Sequence, residues 1–187
     1  MAKPLHVVFL DRDGVINRES EYYVKNLAEF EFLPGSLEAL LALSKAGLNL
    51  ILITNQSAIN RGLASQADVE AIHRHIVDQV AAGGGRIHDI FFCPHAPEDN
   101  CTCRKPKPGM ILEAARRHRL DLSAAVMIGD SARDIRCARA AGCGRTILVQ
   151  SGNFAAASRL LAEAGIAADH VAADLPAAAR WILDGMP

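Results

Sequence analysis

At 187 residues the chain has the length of one domain with a full core rather than two, and 50% hydrophobic with 22% charged residues is an ordinary globular balance. Twenty basic residues against 21 acidic ones exclude a general attraction to nucleic acid or to an anionic membrane, so any basic site has to be local. No apolar run reaches the length of a membrane span and Met1 to His6 form no apolar leader, which leads to the expectation of a cytoplasmic protein with no membrane partner.

The first element is Val7-Val8-Phe9-Leu10, four apolar residues that predict a strand buried on both faces, hence the middle of a parallel sheet. Asp11 and Asp13 follow where that strand stops, and the carboxyl ends of parallel strands open into the crevice where ligands bind. Side chains two apart on an extended backbone point to one side, so both carboxylates address one ligand, and Gly14 lets the chain turn sharply behind them. Two carboxylates so close repel, and a divalent cation is the simplest way to hold them together. The competing reading is an acidic turn that caps a strand. A calcium loop is set aside, because Gly14 follows the second Asp directly and the motif's closing Glu is missing.

Residues 17–33 mix charge with Tyr22, Tyr23, Phe30 and Phe32 without a sustained period, which predicts a flap beside Asp11 with room for one short hairpin. Ser36 is expected to cap a helix running to about Ala46, with Leu37, Leu40, Leu41 and Ser44 on one face and Gly47 as its stop. Residues 48–53 form a second strand. It ends in Thr54-Asn55-Gln56-Ser57, neutral donors suited to an oxyanion, with Arg61 adding a charge; the alternative is a solvated loop ahead of a helix over 66–82 capped by Ser65.

A third strand over Ile87 to Phe92 leads into a loop at 93–108 in which Cys93, His95, Cys101 and Cys103 fall within eleven residues. Three thiols and an imidazole at that spacing are the ligand set of a closed, structural zinc site in a reducing compartment. With all four positions filled by protein, the metal would pin a proline-rich loop and so deliver Arg104 and Lys105 to the crevice. A zinc-binding interaction module is the competing class, but aromatic residues at 5% and a neutral net charge argue against it. Cys137 and Cys143 are expected to be small buried hydrophobes. A helix over 109–118, a strand over 126–128, the turn Gly129-Asp130-Ser131, a helix over 132–141, a strand over 146–149 and helical segments around 154–164 and 176–184 complete the chain. Strand and helix alternate throughout, which predicts one doubly wound α/β domain over 1–187 with a mostly parallel sheet.

Asp11-Arg12-Asp13-Gly14 after one strand, Thr54 at the end of a second, then Lys105, then Gly129-Asp130 with Asp134 after a later strand resemble, in that order, the four motifs of the haloacid dehalogenase superfamily. The loop running into Cys103-Arg104-Lys105-Pro106 resembles the branch that holds heptose bisphosphate phosphatases and histidinol-phosphate phosphatases. This resemblance implies a Rossmannoid fold, in which no insertion after the first or third strand is large enough for a separate cap domain, and a phosphatase in which Asp11 is the nucleophile and Asp13 the acid and base, its carboxyl raised in pKa. It implies Mg²⁺ held by Asp11, the Asp13 carbonyl and Asp130, with Thr54 and Lys105 on the phosphoryl oxygens and Asp134 orienting Lys105 or a metal-bound water. Asn55, Gln56, Ser57, Arg61, Arg104, Ser131, Glu21 and Tyr23 are the further candidates for contact with the substrate. Val15 and Ser131 depart from the family pattern, which often carries Thr at the first position and Lys at the second.

For the substrate, the resemblance implies a phosphorylated sugar that loses the 7-phosphate of a heptose 1,7-bisphosphate on the way to ADP-heptose and lipopolysaccharide core. Arg61, Arg104 and Lys107 are then expected to receive the second phosphate. Histidinol phosphate is the alternative: Glu19 or Glu21 would meet its ammonium, and the five-residue spacer of the zinc loop resembles that branch. With no apolar surface stripe, a monomer is expected.

Overall fold

The computed structural model describes residues 6–185; Met1 to Leu5, on which the expectation of no leader largely rests, lie outside them. Strands β1 (Val7–Leu10), β2 (Asn49–Asn55), β3 (Asp89–Cys93), β4 (Ala125–Gly129), β5 (Arg145–Val149) and β6 (His170–Ala172) form one sheet in the order β3-β2-β1-β4-β5-β6. Every neighbouring pair is parallel, so the expected doubly wound layer is present and its sheet is wholly rather than mostly parallel. β6 departs from expectation: it is an edge strand of three residues with an exposed Val171, and so carries no apolar run.

β1 lies between β2 and β4, with Leu10 opposite both Leu52 and Ile128. Alternation along the strands sends Val8, Leu10, Leu50, Leu52, Val126 and Ile128 into one core, and Val7, Phe9, Ile51, Ile53 and Met127 into the other. The first core is covered by α1 (Ser36–Lys45), α2 (Gln66–Ala82) and α6 (Leu175–Leu183); the second lies under α3 (Gly109–His118) and α4 (Ala132–Ala141), with α5 (Phe154–Glu163) packed beside α4. Burial of both faces explains why β1 is apolar at every position.

Two local readings differ from expectation. Gly35, at φ +73°, is the N-cap of α1, and Ser36 is its first helical residue, with the hydroxyl donating to the Ile16 carbonyl at 2.7 Å. That tie turns Ser36, Ala39, Leu40 and Leu43 inward and leaves Leu37, Leu41 and Ser44 only partly buried. By contrast Ser65 caps α2 as expected, in a reciprocal pair with Asp68.

The base of the flap is a short hairpin: Arg18 N donates to Glu31 O at 2.9 Å, Leu33 N donates to Ile16 O at 2.9 Å, and an antiparallel bridge joins Asn17 to Phe32. Phe30 and Phe32 pack edge to face at 4.8 Å and lean on His75 of α2, which anchors the flap while its 19–24 segment faces the cleft. From β1 the sheet grows one way through β2 and the other way through β4. The switch point therefore lies between the carboxyl ends of β1 and β4, where such a sheet opens to ligand. Among the described residues no helix is long and apolar enough to cross a membrane.

Candidate active site

A cleft of about 280 Å³ opens at that switch point. Of the site residues expected from the sequence, Asp11, Asp13, Glu21, Tyr23, Thr54, Asn55, Gln56, Ser57, Arg104, Lys105, Asp130 and Ser131 line it, whereas Arg61, Lys107, Asp134 and the four residues expected to hold zinc do not. Arg61 stands outside, with Nη2 4.0 Å from Glu98. Lys107 is also committed elsewhere: its Nζ donates to the carbonyls of Asn100 and Cys101 at 3.0 and 2.7 Å, which ties it to the zinc loop.

The backbone after β1 extends the ladder by one bond, Asp11 N to Ile128 O at 3.0 Å, and then wraps into a single turn around the Arg12 carbonyl. Gly14 closes that turn at φ +78°; a Cβ there would enter the left-handed region and collide with the Asp130 carboxylate. The Ser151 hydroxyl donates to the Gly14 carbonyl at 2.7 Å, so the loop after β5 closes the same corner.

Lys105 is 2% exposed; its Nζ donates to the Ile53 carbonyl at 2.8 Å and forms ion pairs with Asp11 Oδ1 at 2.9 Å and Asp134 Oδ1 at 2.6 Å. Burial alone would lower its pKa, but Asp11 and Asp134 more than offset this and raise it. Asn55 places it, because its amide exchanges bonds with the Lys105 backbone N–H and carbonyl at 3.1 and 3.2 Å. Asp134, fully buried, also accepts from Ser131 N and Oγ at 3.0 and 2.6 Å, so one carboxylate caps α4 and orients Lys105. Its expected part in orienting Lys105 matches this geometry, whereas Ser131 has its hydroxyl turned to Asp134.

Three carboxylates, those of Asp11, Asp130 and Asp134, lie with oxygens within 4.8 Å of one another, and two of them, Asp11 and Asp134, pair with Lys105. Asp130 has no hydrogen bond or ion pair among the described residues although it is only 4% exposed, and burial followed by the charges of Asp134 and Asp11 pushes its pKa up to about 8. Burial likewise pushes Asp11 up to about 7, with Lys105 opposing. A buried, unpaired carboxylate in an acidic group with one balancing charge is the environment a hard divalent cation fits.

Asp13 behaves otherwise. Its Oδ1 accepts from Arg12 Nη2 and Asn17 Nδ2, both at 2.9 Å, and its Oδ2 from Gln56 Nε2 at 2.8 Å. Burial pushes its carboxyl up, but the Arg12 charge and these hydrogen bonds more than offset that and hold it below the usual carboxylate range. The expected raised pKa is thus overturned for the free protein, and the cause is the arginine within Asp-x-Asp. Arg12 is fully buried, a position that its place in the motif does not reveal; the one available signal is that alternation sends it to the opposite side from Asp11 and Asp13. Gln56 Nε2 also donates to Thr54 Oγ1 at 2.8 Å, which leaves the Thr54 O–H free to donate into the cleft. Glu19, Ser20, Val24 and Arg133 complete the lining. Of these, sequence reasoning names only Glu19, since nothing in the spacing marks Arg133 as facing the site.

At the end of β3 the four zinc-loop ligands converge. Cys93, Cys101 and Cys103 Sγ atoms are 3.3–3.6 Å apart, and His95 Nδ1 lies 3.5 Å from Cys93 Sγ and 3.4 Å from Cys103 Sγ. A tetrahedron with metal–sulfur bonds near 2.3 Å has edges of about 3.7 Å, so this donor set fits zinc. Cys137 and Cys143 are buried within the core, as expected. The loop is stitched to β2 through Gln56 N to Cys93 O at 2.7 Å, and it carries Arg104, whose Nη1 donates to the His95 carbonyl at 2.9 Å.

A sequence model of the family described as "HAD-hyrolase-like" matches residues 102–178. The D-glycero-beta-D-manno-heptose-1,7-bisphosphate 7-phosphatase of Bordetella bronchiseptica is 43% identical over 180 residues, covering 96% of this chain and 98% of that protein. With such a relative beside this fold and site, the chain belongs to the haloacid dehalogenase-like hydrolases and is a phosphoric monoester hydrolase. A protein of the same name from Pseudomonas aeruginosa is 44% identical over 146 residues, covering 78% and 82% of the two chains. The crystal structure of D,D-heptose 1.7-bisphosphate phosphatase from B. bronchiseptica complexed with magnesium and phosphate superposes with a TM-score of 0.88 at 42% identity, covering 96% of this chain and 99% of that one.

Proposed function

We propose that the chain removes the 7-phosphate from D-glycero-D-manno-heptose 1,7-bisphosphate, leaving the 1-phosphate. The observation that carries this reading is the ion pair of Asp11 with Lys105, with the unpaired Asp130 carboxylate beside it at the switch point, in a chain similar along 96% of its length to a protein of that activity.

The Asp11 carboxylate attacks phosphorus and the sugar oxygen leaves, giving an aspartyl-phosphate; water then attacks that phosphorus, releasing inorganic phosphate and restoring Asp11. Asp13 protonates the departing oxygen and takes the proton from the water. Because Arg12 and Gln56 hold Asp13 ionised in the free protein, it acquires its proton when the phosphoryl group brings further negative charge beside it. Lys105 Nζ and the Thr54 hydroxyl face the phosphoryl oxygens, where charge accumulates. Mg²⁺, for which Asp11, Asp130 and the Asp13 carbonyl are the proposed ligands, would supply charge neutralisation of the phosphoryl group. Zinc on Cys93, His95, Cys101 and Cys103 is proposed as structural, with the loop that places Arg104 and Lys105 depending on it.

The test is initial-rate phosphate release with Mg²⁺ from heptose 1,7-bisphosphate, hexose monophosphates and histidinol phosphate. The highest kcat/KM is expected for the heptose bisphosphate. Glu19 and Glu21 line the cleft, as an ammonium site for histidinol phosphate requires, and a higher kcat/KM on that substrate overturns the assignment. For the metal loop, Cys101→Ser is expected to lower zinc content and to drop the melting midpoint by on the order of 10 °C. It should also raise KM and lower kcat together. An unchanged melting midpoint and unchanged kinetics after verified zinc loss remove the positioning role.

A further inference from the structure

Among the described residues Asp130 makes no hydrogen bond or ion pair, yet it lines the cleft with a carboxylate oxygen within 4.8 Å of those of Asp11 and Asp134. Its two neighbours are held by polar contacts: Asp11 by Lys105 and the Arg12 N–H, Asp134 by Lys105 and the cap of α4. Nothing polar does the same for Asp130. Its direction is therefore set by what surrounds it sterically.

Two glycines provide that surround. A Cβ on Gly14 would overlap the Asp130 carboxylate, and so would a Cβ on Gly152, with Oδ2 the nearest atom in both cases. Gly14 has a positive φ that calls for glycine in its own right, whereas Gly152 has none, so its backbone conformation makes no demand for glycine. Only the space taken by Asp130 makes that demand. Gly47 and Gly142 show the opposite case, a positive φ with open space where a Cβ would stand.

Gly152 is brought to Asp130 by partners far away in the chain. Gln150 N donates to Ala172 O at 3.0 Å, which continues the pairing of β5 with β6, and the Ser151 hydroxyl donates to the Gly14 carbonyl at 2.7 Å. The loop after β5 is thus tied to the sheet edge through one residue and to the turn behind Asp13 through the next, and the backbones of Gly14 and Gly152 both close on Asp130 Oδ2.

We infer that Gly152, held in place by Ser151, is a positioning residue for Asp130: with no Cβ at 152 the carboxylate packs against both glycine backbones and stands oriented beside Asp11 before a divalent cation binds. The inference rests on the Mg²⁺ ligands proposed above. Fixing the carboxylate during folding removes the ordering cost from the binding step, and groups that orient a metal ligand typically matter 10- to 100-fold, roughly, in metal affinity.

The test measures Mn²⁺ binding by electron paramagnetic resonance on the zinc-loaded protein without substrate, for wild type, Gly152→Ala, Ser151→Ala and Asp130→Asn. Gly152→Ala is expected to weaken Mn²⁺ about 10- to 100-fold, and Ser151→Ala, which loses only the tie to Gly14, by a smaller factor. In phosphate release, Gly152→Ala should raise the Mg²⁺ concentration for half-maximal rate by a similar factor, with a smaller loss of kcat at saturating Mg²⁺. Wild-type Mn²⁺ affinity in Gly152→Ala, with weakened binding in Asp130→Asn, overturns the positioning role and leaves the proposed Mg²⁺ ligands standing. Unweakened binding in Asp130→Asn overturns those ligands as well. A stability cycle covers the case in which Gly152→Ala folds poorly: its drop in melting midpoint should be smaller in an Asp130→Ala background, where truncating the carboxylate makes room for the new Cβ. Equal drops in the two backgrounds overturn the packing of Asp130 against Gly152.

Discussion

Asp11→Asn is expected to abolish turnover, by a factor on the order of 10⁴ or more, while raising the stability of the protein without added Mg²⁺. An amide oxygen accepts the bonds from Arg12 N and Lys105 Nζ that the carboxylate accepts, so the strand end keeps its geometry, but an amide does not form an acyl-phosphate. The stability gain follows from crowding, since three carboxylates cluster where only Lys105 pairs with Asp11, and burial pushes Asp11 up to about 7 from 3.8. A carboxyl whose folded pKa lies above its unfolded one makes the folded state the better proton binder between those values. Wild-type stability from this group therefore falls as pH rises through about 4 to 7, and Asn does not titrate. The melting midpoint of the variant minus that of wild type should grow from pH 4 to pH 8, reaching on the order of 5 °C. Calorimetry across that range checks it. A difference that shrinks with rising pH, or a variant retaining a hundredth of the wild-type kcat, contradicts the role given to Asp11.

Lys105→Met should damage fold and function together. Removing the ammonium leaves Asp11 and Asp134 facing each other without a cation and the Ile53 carbonyl without a donor, and breaking a buried pair from one side costs about 3–5 kcal/mol. For a chain of this size that corresponds to a drop of roughly 10 °C in melting midpoint. Activity should fall by about 10²- to 10³-fold, as for the loss of a donor to developing transition-state charge. The double variant Lys105→Met/Asp134→Asn discriminates, because it removes one of the stranded charges. Its destabilisation should be less than the sum of the two single effects. Simple additivity, or a melting midpoint unmoved in Lys105→Met, contradicts the buried triad as the organising element of the site.

The central strands were legible because burial on both faces writes itself as uninterrupted apolar residues: Val7 to Leu10, the core of β2 and the core of β4 all carry that mark. The polar residues at their carboxyl ends were legible for the complementary reason, that a side chain where a parallel strand stops faces a crevice rather than a core, so Asp11, Asp13, Thr54 and Asp130 stood out. The cluster of Cys93, His95, Cys101 and Cys103 was legible because all four lie in one short loop, with no tertiary approach needed to gather them.

What depended on distance along the chain was not legible. β6 is an edge strand with one buried residue, and its pairing with β5 is decided by the sheet already built beside it. Ser36 has the chemistry of a cap, but the Ile16 carbonyl, twenty residues away, claims its hydroxyl and leaves the cap to Gly35. Arg61 and Arg133 are both arginines just past a strand end, and only the folded chain turns the first away from the cleft and sets the second on its wall. The ionisation of Asp13 went the same way: desolvation argues for a raised pKa, and the Arg12 guanidinium buried against it, with Gln56 reaching across from the end of β2, reverses the sign. Local pattern determines which groups reach the carboxyl edge of the sheet. Which charges are paired there depends on inter-element distances, through Coulomb and hydrogen-bond energies that change over a few ångströms.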